Sequence, residues 1–76
     1  MVVAYILVKA STGDAERLRD DLGAVEGVED VHIVAGDVDL IARVNVENPA
    51  AVRQIAATEF QRIEGVANTE TYIAME

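Results

Sequence analysis

The chain contains no cysteine and no tryptophan, a single proline, a single lysine, and no apolar run of membrane-spanning length. Without cysteine there are no disulfides, no thiolate nucleophile and no cysteine-based metal site, although this says little about compartment. A membrane span needs about 18 consecutive apolar residues. The opening run Met1-Val2-Val3-Ala4-Tyr5-Ile6-Leu7-Val8 is far shorter, lacks a basic flank and alternates into Lys9, so it reads as a strand and not a leader. With no targeting segment, the cytoplasm is the default location. The aromatic residues are Tyr5, Phe60 and Tyr72, too few to line a pocket for a ring-shaped substrate.

What the chain has in excess is acid: 14 Asp and Glu against 6 Lys and Arg, a formal charge of −8. Such a surface repels a phosphate backbone, and nucleic-acid binding draws most of its affinity from cations near phosphates. Direct contact with DNA or RNA is therefore not expected. An acid-rich, lysine-poor surface also suits a salt-saturated, halophilic cytoplasm, where screening makes self-repulsion tolerable. At 76 residues the chain is one domain, 1–76. A domain that small buries only about 60% of its unfolded surface, so help from association is expected.

Hydrophobic spacing divides the chain. From Val2 to Lys9, Ala4, Ile6 and Val8 point one way and Val3, Tyr5 and Leu7 the other. A strand apolar on both faces needs cover on both. From Asp14 to Val25 the period changes, with Ala15, Leu18, Leu22 and Val25 at helical spacing among charged residues. Ser11, Thr12 or Asp14 can cap that helix, and Gly23 or Gly27 can end it. Val28 to Ala35 alternates again, with Val31 and Ile33 opposite Asp30 and His32. The stretch Val34-Ala35-Gly36-Asp37-Val38-Asp39-Leu40 has the Gly and Asp content of a hairpin tip. After a turn at Gly36-Asp37, Val38, Leu40, Ala42, Val44 and Val46 alternate with Asp39, Ile41, Arg43 and Asn45, and the first set should meet the helices. Asn48-Pro49 is a helix start, with Val52, Ile55, Ala56, Phe60 and Ile63 as the buried stripe and Gly65 as the stop. A last strand runs from Val66 to about Met75.

The order β-α-β-β-α-β with right-handed crossovers closes most simply into a ferredoxin-like α+β fold, a four-stranded antiparallel sheet with both helices on one face. The other face then lacks cover, although Val3, Tyr5, Leu7 and Ile41 point there. An exposed apolar sheet of that size marks a protein interface. A homodimer packed sheet to sheet is expected, with Val3, Tyr5, Leu7, Ile41 and Arg43 in the interface and Arg43 pairing with an acidic residue of the partner. Rings of such dimers, octamers or decamers, are the larger assemblies in view.

Val34-Ala35-Gly36-Asp37-Val38-Asp39 resembles the Gly-x-x-Asp hairpin of the effector-binding (RAM) domain of Lrp/AsnC transcription regulators. Glu64-Gly65-Val66-Ala67-Asn68-Thr69-Glu70-Thr71-Tyr72 is similar to that domain's Pro-Gly-Val-x-x-Thr-x-Thr segment. The resemblance covers the whole chain in order and length. Val38 stands where the family often has an aromatic residue, and Glu64 where it often has proline. The helix-turn-helix domain of the full regulators has no counterpart, so the chain resembles a stand-alone sensing module. The resemblance implies a small amino acid or related metabolite bound in clefts between subunits near the hairpin tips, coupled to oligomer state and to transcription through a full-length Lrp/AsnC regulator.

The residues are chemically suited to that ligand. An ammonium wants a carboxylate such as Asp37 or Asp39, and a carboxylate wants donors such as the Gly36 backbone, Thr69 and Thr71. A plainer reading stands beside it, in which Gly-Asp is an ordinary turn and strand threonine an ordinary β-former. His32 is the only histidine; with no Ser, Cys or second His arranged about it, no catalytic residue is assigned. Neighbouring acids such as Asp20-Asp21 and Glu29-Asp30 diverge along their elements, so neither a metal site nor a cofactor is expected. Three functions remain: a non-enzymatic sensing and oligomerisation module, a small dimeric ferredoxin-like enzyme of the isomerase or cofactor-free monooxygenase kind, and a purely structural oligomerisation module.

Overall fold

A computed structural model describes all 76 residues. The elements are β1 (Val2–Ala10), α1 (Ala15–Gly23), β2 (Val28–Ile33), β3 (Leu40–Val46), α2 (Pro49–Gln54) and β4 (Val66–Ile73). The four strands form one antiparallel sheet in the order β2-β3-β1-β4. This is the ferredoxin-like α+β arrangement expected from the spacing. Ala4, Ile6 and Val8 of β1 and Leu40, Ala42 and Val44 of β3 are fully buried beneath Leu18 and Leu22 of α1 and Val52 and Phe60 of the second helical segment. The core is small, 12 buried residues of 76, and every one is apolar. No helix is long and apolar enough to cross a membrane.

Local chemistry sets the helix ends. The Asp14 carboxylate accepts from the Arg17 backbone N–H at 3.2 Å, and the Asn48 side chain accepts from the Ala51 N–H at 2.9 Å, with Pro49 at the first turn. Each cap satisfies a donor that the first turn leaves without an intrahelical partner. Gly27 and Gly65 take φ of +98° and +105°, a backbone region that side chains disfavour. At Gly65 a Cβ would also stand 2.8 Å from Thr12 Cγ2.

Three boundaries differ from the sequence reading. The link between β2 and β3 spans residues 34–39 rather than a two-residue turn at Gly36-Asp37. It is closed by Val34 N–H donating to the Asp39 carbonyl at 2.9 Å and tied to β1 by Asp39 N–H donating to the Val8 carbonyl at 3.0 Å. The second helix is α-helical only over Pro49–Gln54; it widens to a π turn at Ile55–Glu59 and tightens to a 3₁₀ turn at Phe60–Arg62. The apolar stripe keeps facing inward through this change, so its spacing did not disclose it. The last strand stops at Ile73, before Met75.

Candidate functional site

Strand pairing places the non-helix side of the sheet in rows. Tyr5 lies opposite Arg43 on one side and Tyr72 on the other, with Asp30 beyond Arg43. The next row runs His32, Ile41, Leu7, Glu70, and a third sets Asn45 opposite Val3. All five residues assigned to an interface therefore stand together on the two central strands. Val3, Leu7 and Ile41 are half-buried, and Tyr5 and Tyr72 are 41% and 56% exposed. Around this apolar centre lie Asp30, His32, Arg43 and Glu70.

Arg43 finds its acidic partners within its own chain. Its guanidinium donates to Asp30 Oδ2 at 2.9 Å and lies 3.5 Å from Glu29 Oε1. A bulge in β2 lets both acids reach it, because Val28 pairs with Val44 and Asp30 with Arg43, leaving Glu29 as the extra residue. The hydrogen bond that Arg43 donates to Asp30, then the charges of Asp30 and Glu29, hold the Arg43 pKa above its ordinary value. His32 Nε2 stands 3.3 Å from Asp30 Oδ1 in the same cluster.

The two hairpin carboxylates differ in their surroundings. Asp39 Oδ2 accepts from the Ala10 N–H at 2.8 Å, where β1 shifts register against β4 and the ladder with β3 has ended. Asp37 is exposed and makes no hydrogen bond or ion pair within the chain. Gly36 is exposed, its φ is not positive, and a Cβ there would meet open space. Nothing in its own chain requires glycine at that position.

Thr69 and Thr71 lie on the helix side of β4, opposite the buried Val8 and Ile6. They border a groove of about 570 Å³ that α2 and its continuation leave uncovered along the edge strand, walled also by Val52, Arg53, Ala56, Gln61 and Ile73. The Gln61 amide donates to the Ala56 carbonyl and to Thr69 Oγ1, each at 3.2 Å, fastening the irregular turn to β4. A smaller hollow of about 300 Å³, lined also by Leu7 and Glu70, brings Asp37 near Lys9, Asn68 and Thr69. Of the five residues assigned to a ligand, Asp37 and Thr69 share this hollow, Thr69 and Thr71 share the groove, and Gly36 and Asp39 line neither. Arg53 and Gln61 were not singled out from the sequence. A signal existed, since Pro49, Arg53, Ala57 and Gln61 recur every four residues beside the apolar stripe and all four line the groove.

No three His, Asp or Glu side chains are grouped to hold a metal ion. Asp20, Asp21, Glu29 and Asp30 instead meet Arg19, Arg17 and Arg43.

Comparison with known proteins points one way. The model of the Lrp/AsnC ligand binding domain matches residues 3–76. The leucine-responsive regulatory protein of Haemophilus influenzae is 30% identical over 76 residues, taking in 100% of this chain and 46% of that one. The chain thus spans about half the length of the curated relatives it matches. A crystal structure of a Thermus thermophilus protein superposes with a TM-score of 0.93 at 25% identity, covering 100% of this chain and 95% of that one. A transcriptional regulator of Neisseria meningitidis, solved as a complex with L-methionine, shares the fold at 14% identity and a TM-score of 0.85, over 99% of this chain and 50% of that one. Sequence, fold and extent agree, and the chain belongs to the Lrp/AsnC ligand-binding domain family.

Proposed function

We propose that the protein is a non-enzymatic sensing module that forms a homodimer through the open sheet face, binds a small amino acid between copies, and modulates transcription through a full-length Lrp/AsnC regulator without touching DNA itself. The observation that carries the reading is the uncovered face of β1 and β3, an apolar centre within a rim of charged and polar groups. None of the elements of this chain lies over it. A stable interface buries about 800 Å² per partner, roughly a sixth of the 4731 Å² that the chain exposes.

The ligand contacts fall in two groups that assembly can join. The hairpin offers the unpaired Asp37 carboxylate and the bare Gly36 backbone, and the α2–β4 groove offers Thr69 and Thr71. Asp39 supports the hairpin from beneath. Octamers or decamers built from such dimers are the assemblies that would bring hairpins to neighbouring grooves. The methionine complex of the Neisseria meningitidis regulator supports an amino acid as ligand, and regulatory relatives support a role in transcription. A charge of −8 supports the absence of direct DNA contact, and the same acidity fits a halophilic cytoplasm. The reading requires no cofactor.

Thermal unfolding against each of the twenty amino acids tests the proposal. A ligand at a hundredfold excess over its Kd stabilises the native state by about 2.7 kcal/mol, roughly 10 °C or more in Tm for a domain of this size. A flat profile across all twenty contradicts amino-acid sensing and leaves the structural module.

A further inference from the structure

The α2–β4 groove differs in charge from the rest of the surface. The chain carries 14 acidic residues, yet none of the nine residues lining the groove is Asp or Glu, and one, Arg53, is a cation. Arg17, Arg19 and Arg43 are each paired with carboxylates of the chain. Arg53 is exposed and enters no ion pair or side-chain hydrogen bond, in a molecule where acids outnumber bases by more than two to one. Beside it the walls are aliphatic, from Val52, Ala56 and Ile73, with the hydroxyls of Thr69 and Thr71 between. The volume, about 570 Å³, lies within the range of small-molecule sites, about 300–1,000 Å³.

We infer that this groove binds an aliphatic monocarboxylate, with the Arg53 guanidinium holding the carboxylate and Val52, Ala56 and Ile73 receiving the hydrocarbon chain. A guanidinium matches a carboxylate with two parallel N–H donors. The groove has no anion with which to hold an ammonium, so it does not read the amino group. Its ligand class therefore includes 2-oxo acids as well as amino acids. The inference rests on the sensing reading and deepens it: the groove reads the acid end and the chain, and the Asp37 hairpin of another copy reads the amine.

The test uses the intact protein and three probes, 4-methyl-2-oxopentanoate, leucine and leucinamide, with affinities from isothermal titration. The oxo acid and leucine are expected to bind, and leucinamide at least tenfold more weakly than leucine. Arg53→Gln is expected to weaken the oxo acid by about 10-fold to 100-fold, the loss of a charge-assisted hydrogen bond, with the fold checked by circular dichroism. Asp37→Asn should leave the oxo acid unchanged and weaken leucine. Undiminished oxo-acid binding in Arg53→Gln, or leucinamide bound as tightly as leucine, overturns the inference. If leucine binds and the oxo acid does not, the inference fails while sensing stands. If none of the three probes binds and no amino acid raises Tm, both fail.

Discussion

Asp37 and Asp39 stand two residues apart in a hairpin, and the sequence offers no ground for separating them. The fold does so, because Asp39 accepts the Ala10 N–H, a contact across 29 residues that no local pattern encodes. Asp39→Ala leaves that half-buried amide without its acceptor, and urea unfolding should show a loss of about 1–3 kcal/mol. Asp37→Ala touches no partner and should change stability by less than about 0.5 kcal/mol. Equal effects at the two positions would mean that the 2.8 Å bond contributes nothing. Arg43 was legible as a sheet-face residue through its alternation with Ala42 and Val44, but its partner was not, since the β2 bulge that delivers Glu29 and Asp30 depends on strand pairing. Its raised pKa also fixes the sign of its pH dependence. A base whose folded pKa exceeds its unfolded value contributes fully below the unfolded value and loses that contribution only as pH climbs through the folded one. For an arginine this window lies well above neutrality, so titration through neutral pH leaves the Arg43 charge in place.

At the scale of elements, period and punctuation were sufficient to locate every strand and helix. Asn48-Pro49 marked a start, and Gly65 marked the reversal into β4. Asn48→Ala removes the acceptor of the Ala51 N–H and should cost about 1 kcal/mol in chemical denaturation. Gly65→Ala faces a positive φ and a 2.8 Å approach to Thr12 Cγ2, and its cost should exceed about 1 kcal/mol. A neutral Gly65→Ala would contradict the tight join between the α1 cap region and the β4 entry. The extent of the hairpin link and the π turn were not legible. The first is drawn out by hydrogen bonds to β1, and the second preserves the same inward residues as an α-helix. The groove was missed for a related reason: α2 lies against β3 and leaves β4 bare, a matter of helix placement and not of helix formation.

At the scale of the molecule, charge and the uncovered sheet decide behaviour. With a formal charge of −8 on 76 residues, self-repulsion opposes the compact state, and the screening length falls from about 10 Å at 0.1 M salt to about 3 Å at 1 M. Raising KCl over that range should therefore raise Tm, and an unchanged or falling Tm would contradict a destabilising surface charge. The sheet face was legible because β1 is apolar at both odd and even positions, which one layer of helices cannot satisfy. Ile41→Asp places a charge at its centre, beside Leu7, where a covering copy would leave it buried and unpaired. Sedimentation velocity of the parent chain and Ile41→Asp across a micromolar dilution series is the most direct measurement. The parent should sediment as a dimer or larger assembly and the variant as a monomer or unfolded chain. A parent that stays a folded monomer at every concentration would contradict the account.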